Sequence, residues 1–158
     1  DIRRLTSAEG YDAEGTVSTD GKKVVFTSTR NGDLDLYEMN IDGTGVRQLT
    51  NEIGYDGGAW HSQDGQYIVW RANRPTAPAD RERYKDLLSR NLVMPSRMEL
   101  MIMKSDGSEK KQLTSNGGAR IVPPSDFALA ADWSALATVT YEFQCGGMPW
   151  ARSSFFWA

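Results

Sequence analysis

The first 118 residues alternate short apolar runs with polar turns at a spacing that predicts β-strands. "KKVVFTST" (22–29) and "QYIVWRA" (66–72) are rich in β-branched and aromatic residues, and each follows an Asp-Gly turn. "LDLYEMN" (34–40) and "MELMIMK" (98–104) alternate apolar with polar positions, and each runs into a second Asp-Gly, at 42–43 and 106–107. Eight strands are expected, near 13–18, 23–29, 34–40, 46–50, 57–62, 67–72, 98–104 and 109–114. The pattern changes over "APADRERYKDLLSRNL" (77–92). There Tyr84, Leu87 and Leu88 recur at helical spacing, Pro78 stands at the start, and Asp80 is the expected N-cap.

The strands are phased by a repeat. Tyr11-Asp12 recurs as Tyr55-Asp56, Asp20-Gly21 as Asp64-Gly65, and Leu5-Thr6 as Leu49-Thr50, each 44 residues apart. Four short strands per period of this length are expected of a β-propeller blade. A β-sandwich also uses short strands and frequent turns, but it gives no reason for a common phase. The organisation expected is a single segment over 1–158: blade 1 at 11–50, and blade 2 at 55–114 carrying a helical insertion at 74–97. Residues 2–6 would be an orphan outer strand, and 115–158 either a drifted third blade or a frame-shifted tail.

The residues that carry these anchors resemble the TolB-like (WD40-like) β-propeller repeat family. Its blades combine a Ser-Pro-Asp-Gly-Lys turn, the phrase "FTSxRxGxxxLYxMNxDGxxxxxLT" and a Tyr-Asp before the next blade. Residues 18–50 follow that phrase, although Thr19 and Gln63 stand where the family has Pro. The likeness covers residues 1 to about 118 and ends in "RIVPPSDFALAADWSALATVTYEFQCGGMPWARSSFFWA" (120–158). It implies an all-β partial propeller in a periplasmic or secreted setting. In closed rings of this kind the orphan strand pairs with the last blade.

Closed propellers have about four to eight blades. Two blades and an uncertain third would leave Val24, Phe26, Ile68, Trp70 and Leu100 facing water. A homo-oligomer that completes the ring would bury them, with residues 2–6 pairing across the seam.

Composition narrows the function. Eighteen basic against 21 acidic residues give a net charge of −3, which argues against nucleic-acid or anionic-membrane binding. No run of 18 apolar residues suggests a membrane span. The single cysteine, Cys145, leaves no intramolecular disulfide. Asp1 in place of an initiator Met suits a processed protein or an excised piece.

Candidate chemistry is sparse. His61 is the only histidine, so a Ser-His-Asp or Cys-His site within one chain would have to use it. Asp33 and Asp35 have the spacing of two calcium-loop carboxylates but lack the rest of that loop. The basic residues of the insertion, Arg71, Arg74, Arg81, Arg83, Lys85, Arg90 and Arg97, are interleaved with Asp80, Glu82 and Asp86, as on a solvated helix face. Tyr11, Asp12, Tyr55 and Asp56 stand at equivalent positions and, with His61, are the expected ligand-binding set at the mouth of a central funnel. The reading is a non-catalytic propeller that binds a protein or peptide and needs no cofactor. The alternatives are a hydrolase or a propeller accessory to a peptidase or amidohydrolase, and a truncated gene product without evolved function.

Overall fold

The computed structural model describes residues 2–94, 98–115 and the two short strands 141–143 and 151–153. Residues 1–120 form one compact unit and 121–158 another.

The first unit holds two antiparallel four-stranded sheets, each in simple sequential order. Blade 1 comprises β1 (Asp12–Val17), β2 (Lys23–Ser28), β3 (Asp35–Asn40) and β4 (Arg47–Gln48). Blade 2 comprises β5 (Asp56–His61), β6 (Tyr67–Ala72), β7 (Glu99–Lys104) and β8 (Lys111–Gln112). Helix α1 (Pro78–Ser89) lies between β6 and β7. In the second unit β9 (Tyr141–Phe143) pairs with β10 (Ala151–Ser153). The remainder of the expected third blade, with Cys145, lies outside the described residues.

Equivalent side chains build equivalent turns. Ser18 donates its hydroxyl to Asp20 at 2.6 Å, Asp20 accepts the Lys22 amide at 3.1 Å, and the Lys23 amide returns to Ser18 Oγ at 2.9 Å. Ser62, Asp64, Gln66 and Tyr67 repeat the set at 2.5, 3.0 and 2.9 Å. Asp and Ser therefore close the turn where the family has Pro, and Gly21 and Gly65 supply the left-handed residue at φ 73° and 70°. Both first strands carry a bulge, between Ala13 and Thr16 and between Gly57 and Trp60, which places Glu14 and Gly58 at φ 54° and 60°.

The blades meet across an apolar seam. Val25, Leu36 and Leu49 of blade 1 cluster with Ala59, Ile68, Trp70, Ala72 and Met103 of blade 2. Burying a Trp such as Trp70 is worth on the order of 4–6 kcal/mol by area. Thr16 Oγ1 donates across the seam to the Ala59 carbonyl at 2.7 Å, and the Asp56 amide donates to the Leu34 carbonyl at 2.8 Å.

Several expectations are corrected here. Val24 and Phe26 do not face water but are buried with Tyr37 and Met39, and Leu5 packs on that cluster. Ile68 and Trp70 lie inside the seam, and Leu100 is half-buried. Residues 2–6 form no strand; Arg3 donates to the Asp42 carbonyl and Thr6 to Asp12, so this stretch lies along blade 1. The N-cap is Ala77, which offers no side-chain cap; Pro78 takes the first helical position and leaves Asp80 inside the first turn.

Candidate functional site

At the leading ends of β1 and β5 each repeat places one carboxylate against one arginine. Arg30 donates to both Asp12 oxygens at 3.1 Å, and Arg74 to both Asp56 oxygens at 2.7 and 2.9 Å. Arg30 and Arg74 are themselves 44 residues apart, in phase with the aspartates they bind. The backbone follows the same rule: the Thr29 amide donates to the Tyr11 carbonyl at 3.0 Å, and the Asn73 amide to the Tyr55 carbonyl at 2.9 Å.

The two pairs differ in setting. Burial alone would raise the Asp12 carboxyl, but hydrogen bonds from Ser28, Thr6 and Arg30 outweigh it and hold the group below the usual range. Arg30 also stacks over the Phe26 and Tyr37 rings, 5.0 and 4.8 Å from their centroids. Asp56 is 0% exposed, and Trp70 replaces Phe26 at the equivalent position, donating its indole N–H to Asp56 at 2.6 Å. Burial raises this carboxyl despite Arg74, so Asp56 is a buried fastener and not a ligand group at the surface.

A second cluster spans the seam. From its bulge, Glu14 accepts Tyr55 Oη at 2.8 Å, the Gly58 amide at 2.8 Å, Thr27 Oγ1 at 3.2 Å and Arg71 Nη2 at 3.0 Å. Gly58 occupies the matching bulge without a side chain; a Cβ there would lie 2.7 Å from the Arg71 guanidinium. Burial, then Glu14, raise the Tyr55 phenol far above its ordinary value. Tyr11 stands beside this cluster, its phenol raised by burial and by Glu14 against the pull of Arg71, and it remains 44% exposed. Of the expected set, Tyr11 alone presents an open aromatic edge, while Tyr55 and Asp56 are buried and Asp12 is engaged.

His61 belongs elsewhere. It ends β5, whereas Asp56 begins it, so it cannot join the Tyr-Asp set. It lines a cleft of about 650 Å³ between turns of the two blades, with Asp20, Lys23, Glu38, Arg47 and Asp106. Glu38 pairs with Arg47 at 3.0 Å and Lys23 at 3.5 Å, and Arg47 bridges to the Ser105 and Asp106 carbonyls of blade 2 at 2.9 and 2.8 Å. Burial pushes the imidazole pKa down, against Glu38 and Asp20, and its buried Nε2 has no hydrogen-bond partner among the described residues. No nucleophile is placed against it by any hydrogen bond described.

The Asp33 and Asp35 pair diverges. Asp33 accepts the Tyr84 phenol, the Leu34 amide at 2.8 Å and the Gly54 amide at 3.2 Å. Asp35 accepts Thr50 Oγ1 at 3.1 Å and Gln48 Nε2 at 2.9 Å, and burial lifts its pKa to about 6. Among the described residues no three His, Cys, Asp or Glu side chains are grouped to hold a metal ion. The basic residues of the insertion do not gather either: Arg71 and Arg74 serve Glu14 and Asp56, Arg81 donates to the Pro75 carbonyl at 2.9 Å, and Arg90 pairs with Asp86.

Sequence reasoning missed Arg30 and the bridging role of Glu14. The period of 44 that joins Asp12 to Asp56 also joins Arg30 to Arg74 and could have revealed the fasteners. Glu14 had no such signal, because its equivalent is Gly58.

Comparison with known proteins agrees with this architecture. No family model matches the chain. Over 42 residues it is 38% identical to the Tol-Pal system protein TolB of Bordetella pertussis, a stretch that is 27% of this chain and 10% of that protein. The same values hold for TolB of Bordetella parapertussis and Bordetella bronchiseptica. Among solved structures, a protein assigned as TolB from Agrobacterium tumefaciens superposes with a TM-score of 0.56 at 22% identity, over 70% of this chain and 36% of the other. TolB from Acinetobacter baumannii gives 0.53 at 24% identity, over 72% and 24%. The match thus spans about a tenth of the curated relatives' length, and the likeness to the solved structures is one of fold. Among the described residues no helix is long and apolar enough to cross a membrane.

Proposed function

We propose that this TolB-like propeller segment is a non-catalytic module that binds a protein or peptide at the end of the blade seam where Tyr11 stands. The observation that carries the reading is an exposed aromatic ring beside a prearranged charged set, Glu14 and Arg71, held in place by Tyr55 and Gly58. A rigid aromatic anchor rimmed by fixed polar groups is the arrangement that concentrates binding energy in protein interfaces. The resemblance to TolB-like proteins supports a periplasmic or secreted setting, and the name of the Bordetella relatives points to proteins of the Tol-Pal system as the first partners to try.

The test is calorimetric titration of the full chain with purified Tol-Pal system proteins of Bordetella pertussis. Binding is expected, and Tyr11→Ala should weaken it by about 30-fold, the scale of a hot-spot residue. Absence of binding, or a Tyr11→Ala variant that binds equally well, overturns the reading.

Self-association is a narrower proposal, now confined to one face. Val25, Leu36 and Leu49 are buried in the seam, whereas Val69 and Leu100, their equivalents on blade 2, are half-buried and Leu113 is 47% exposed. That surface is where a second copy would add a blade. Light scattering at micromolar concentration should then give a mass above the 17.6 kDa of one chain; a monomer refutes it.

A further inference from the structure

We infer that α1 is a separately opening cover over the Tyr55 end of the seam, latched through Tyr84 onto Asp33, which lifts without unfolding either blade. The inference concerns conformation and stands without the binding reading above.

The corresponding connection in blade 1 is six residues long, from 29 to 34, whereas blade 2 inserts α1 between β6 and β7. The helix reaches back over blade 1: Tyr84 packs with Leu34 and Tyr55, flanked by Ile53, Leu88, Val93 and Met98. Its phenol donates to Asp33, at the entry to β3. The insertion therefore crosses the joint between the two blades.

Beyond that cluster, and the Arg81 bond to the Pro75 carbonyl at its root, little holds it. A helix of 12 residues is marginal in water by itself, and this one has no side-chain cap at its start. Tyr84 is its only buried residue. Its root is anchored independently of the helix, since Arg74 is tied to Asp56 and Glu52, and the Asn73 carbonyl crowds Gly54 so closely that a Cβ there would lie 2.0 Å away. Detachment can begin beyond the root without disturbing the fastener.

The surface beneath is supported from the blades. Asp33 keeps the Leu34 and Gly54 amides, and Tyr55 keeps its bond to Glu14. Lifting α1 uncovers Leu34, Ile53 and Tyr55 but leaves neither polar group without a partner. That asymmetry, one latch on the cover and several ties on the surface under it, separates its opening from global unfolding.

Hydrogen exchange read by mass spectrometry on the full chain tests this. Amides of 80–89 should exchange at least tenfold faster than those of β2 and β6 in the wild type. Tyr84→Phe, which loses only the latch bond, should accelerate α1 exchange about fivefold, and Tyr84→Ala by about tenfold or more beyond that. In both variants β2 and β6 should keep their wild-type rates. Equal protection of α1 and the blades in the wild type, or a Tyr84 variant in which blade exchange rises in parallel with α1, overturns the inference.

Discussion

Replacing Asp56 by Ala removes a fully buried carboxylate, takes from Arg74 its closest partner and leaves the Trp70 indole without its acceptor. Arg74 loses two charge-assisted hydrogen bonds, at 2.7 and 2.9 Å, and the Trp70 indole N–H loses its acceptor at 2.6 Å. Breaking a buried ion pair on one side costs about 3–5 kcal/mol, chiefly through the uncompensated partner. Because the Arg74 side chain is 23% exposed, its cation reaches some water, so the lower end, about 3 kcal/mol, is expected. At a urea m-value of about 2 kcal/mol/M for a domain of this size, the midpoint falls by about 1.5 M. Trp fluorescence during urea unfolding reads it. Asp12→Ala is the internal control. Its arginine remains stacked on Phe26 and Tyr37, so the loss should be about 1–2 kcal/mol. Because burial raises the Asp56 carboxyl even beside Arg74, the pair adds little over an apolar filling, and Asp56→Leu with Arg74→Leu should recover part of the loss. A fall of less than about 1 kcal/mol for Asp56→Ala, or equal losses at the two sites, would refute the fastener reasoning.

Three further outcomes are expected. Asp35, whose pKa rises from 3.8 to about 6, binds its proton more tightly when folded, so its contribution to stability is fully present below about pH 4, is lost as pH rises towards 6 and is flat beyond. The shift of about two units corresponds to about 3 kcal/mol at most, and urea midpoints between pH 4 and 7 should lose that part of their slope in Asp35→Asn. Glu14→Ala leaves Arg71, the Tyr55 phenol and the Gly58 amide without their common acceptor and should cost about 2 kcal/mol, read by the same unfolding assay. Gly58→Ala should cost about 1–2 kcal/mol, because its Cβ would press on Arg71 at a left-handed φ of 60°; an unchanged midpoint would show that the bulge yields.

The strands were legible because they rest on local signals. β2 and β6 each follow a Ser-x-Asp-Gly turn whose side chains make the same bonds in both blades, whereas Ile68, expected to face water, is buried by the neighbouring blade. The helix was visible in Tyr84, Leu87 and Leu88, although its start was misplaced, since Pro78 at the first position outranks a capping Asp two residues on. The site was legible only in position. Repetition located Tyr11, Asp12, Tyr55 and Asp56 at one end of the blades, but burial is a property of the neighbours. Trp70 and α1 enclose Asp56 and Tyr55, while Tyr11 at the equivalent position lacks such a roof. Residues 2–6 were read as a strand because they echo Leu49-Thr50, yet Leu5 rests instead on the cluster of Val24, Phe26, Tyr37 and Met39.

The claim on which all else depends is that the two sheets are successive blades packed face to face. Nuclear Overhauser contacts in a methyl- and tryptophan-labelled sample measure it directly. Cross-peaks are predicted from the methyls of Val25, Leu36 and Leu49 to the side chains of Ile68, Trp70 and Met103, together with contacts between Thr16 and Ala59. A spectrum in which Trp70 and Ile68 meet only residues of their own sheet would contradict the account.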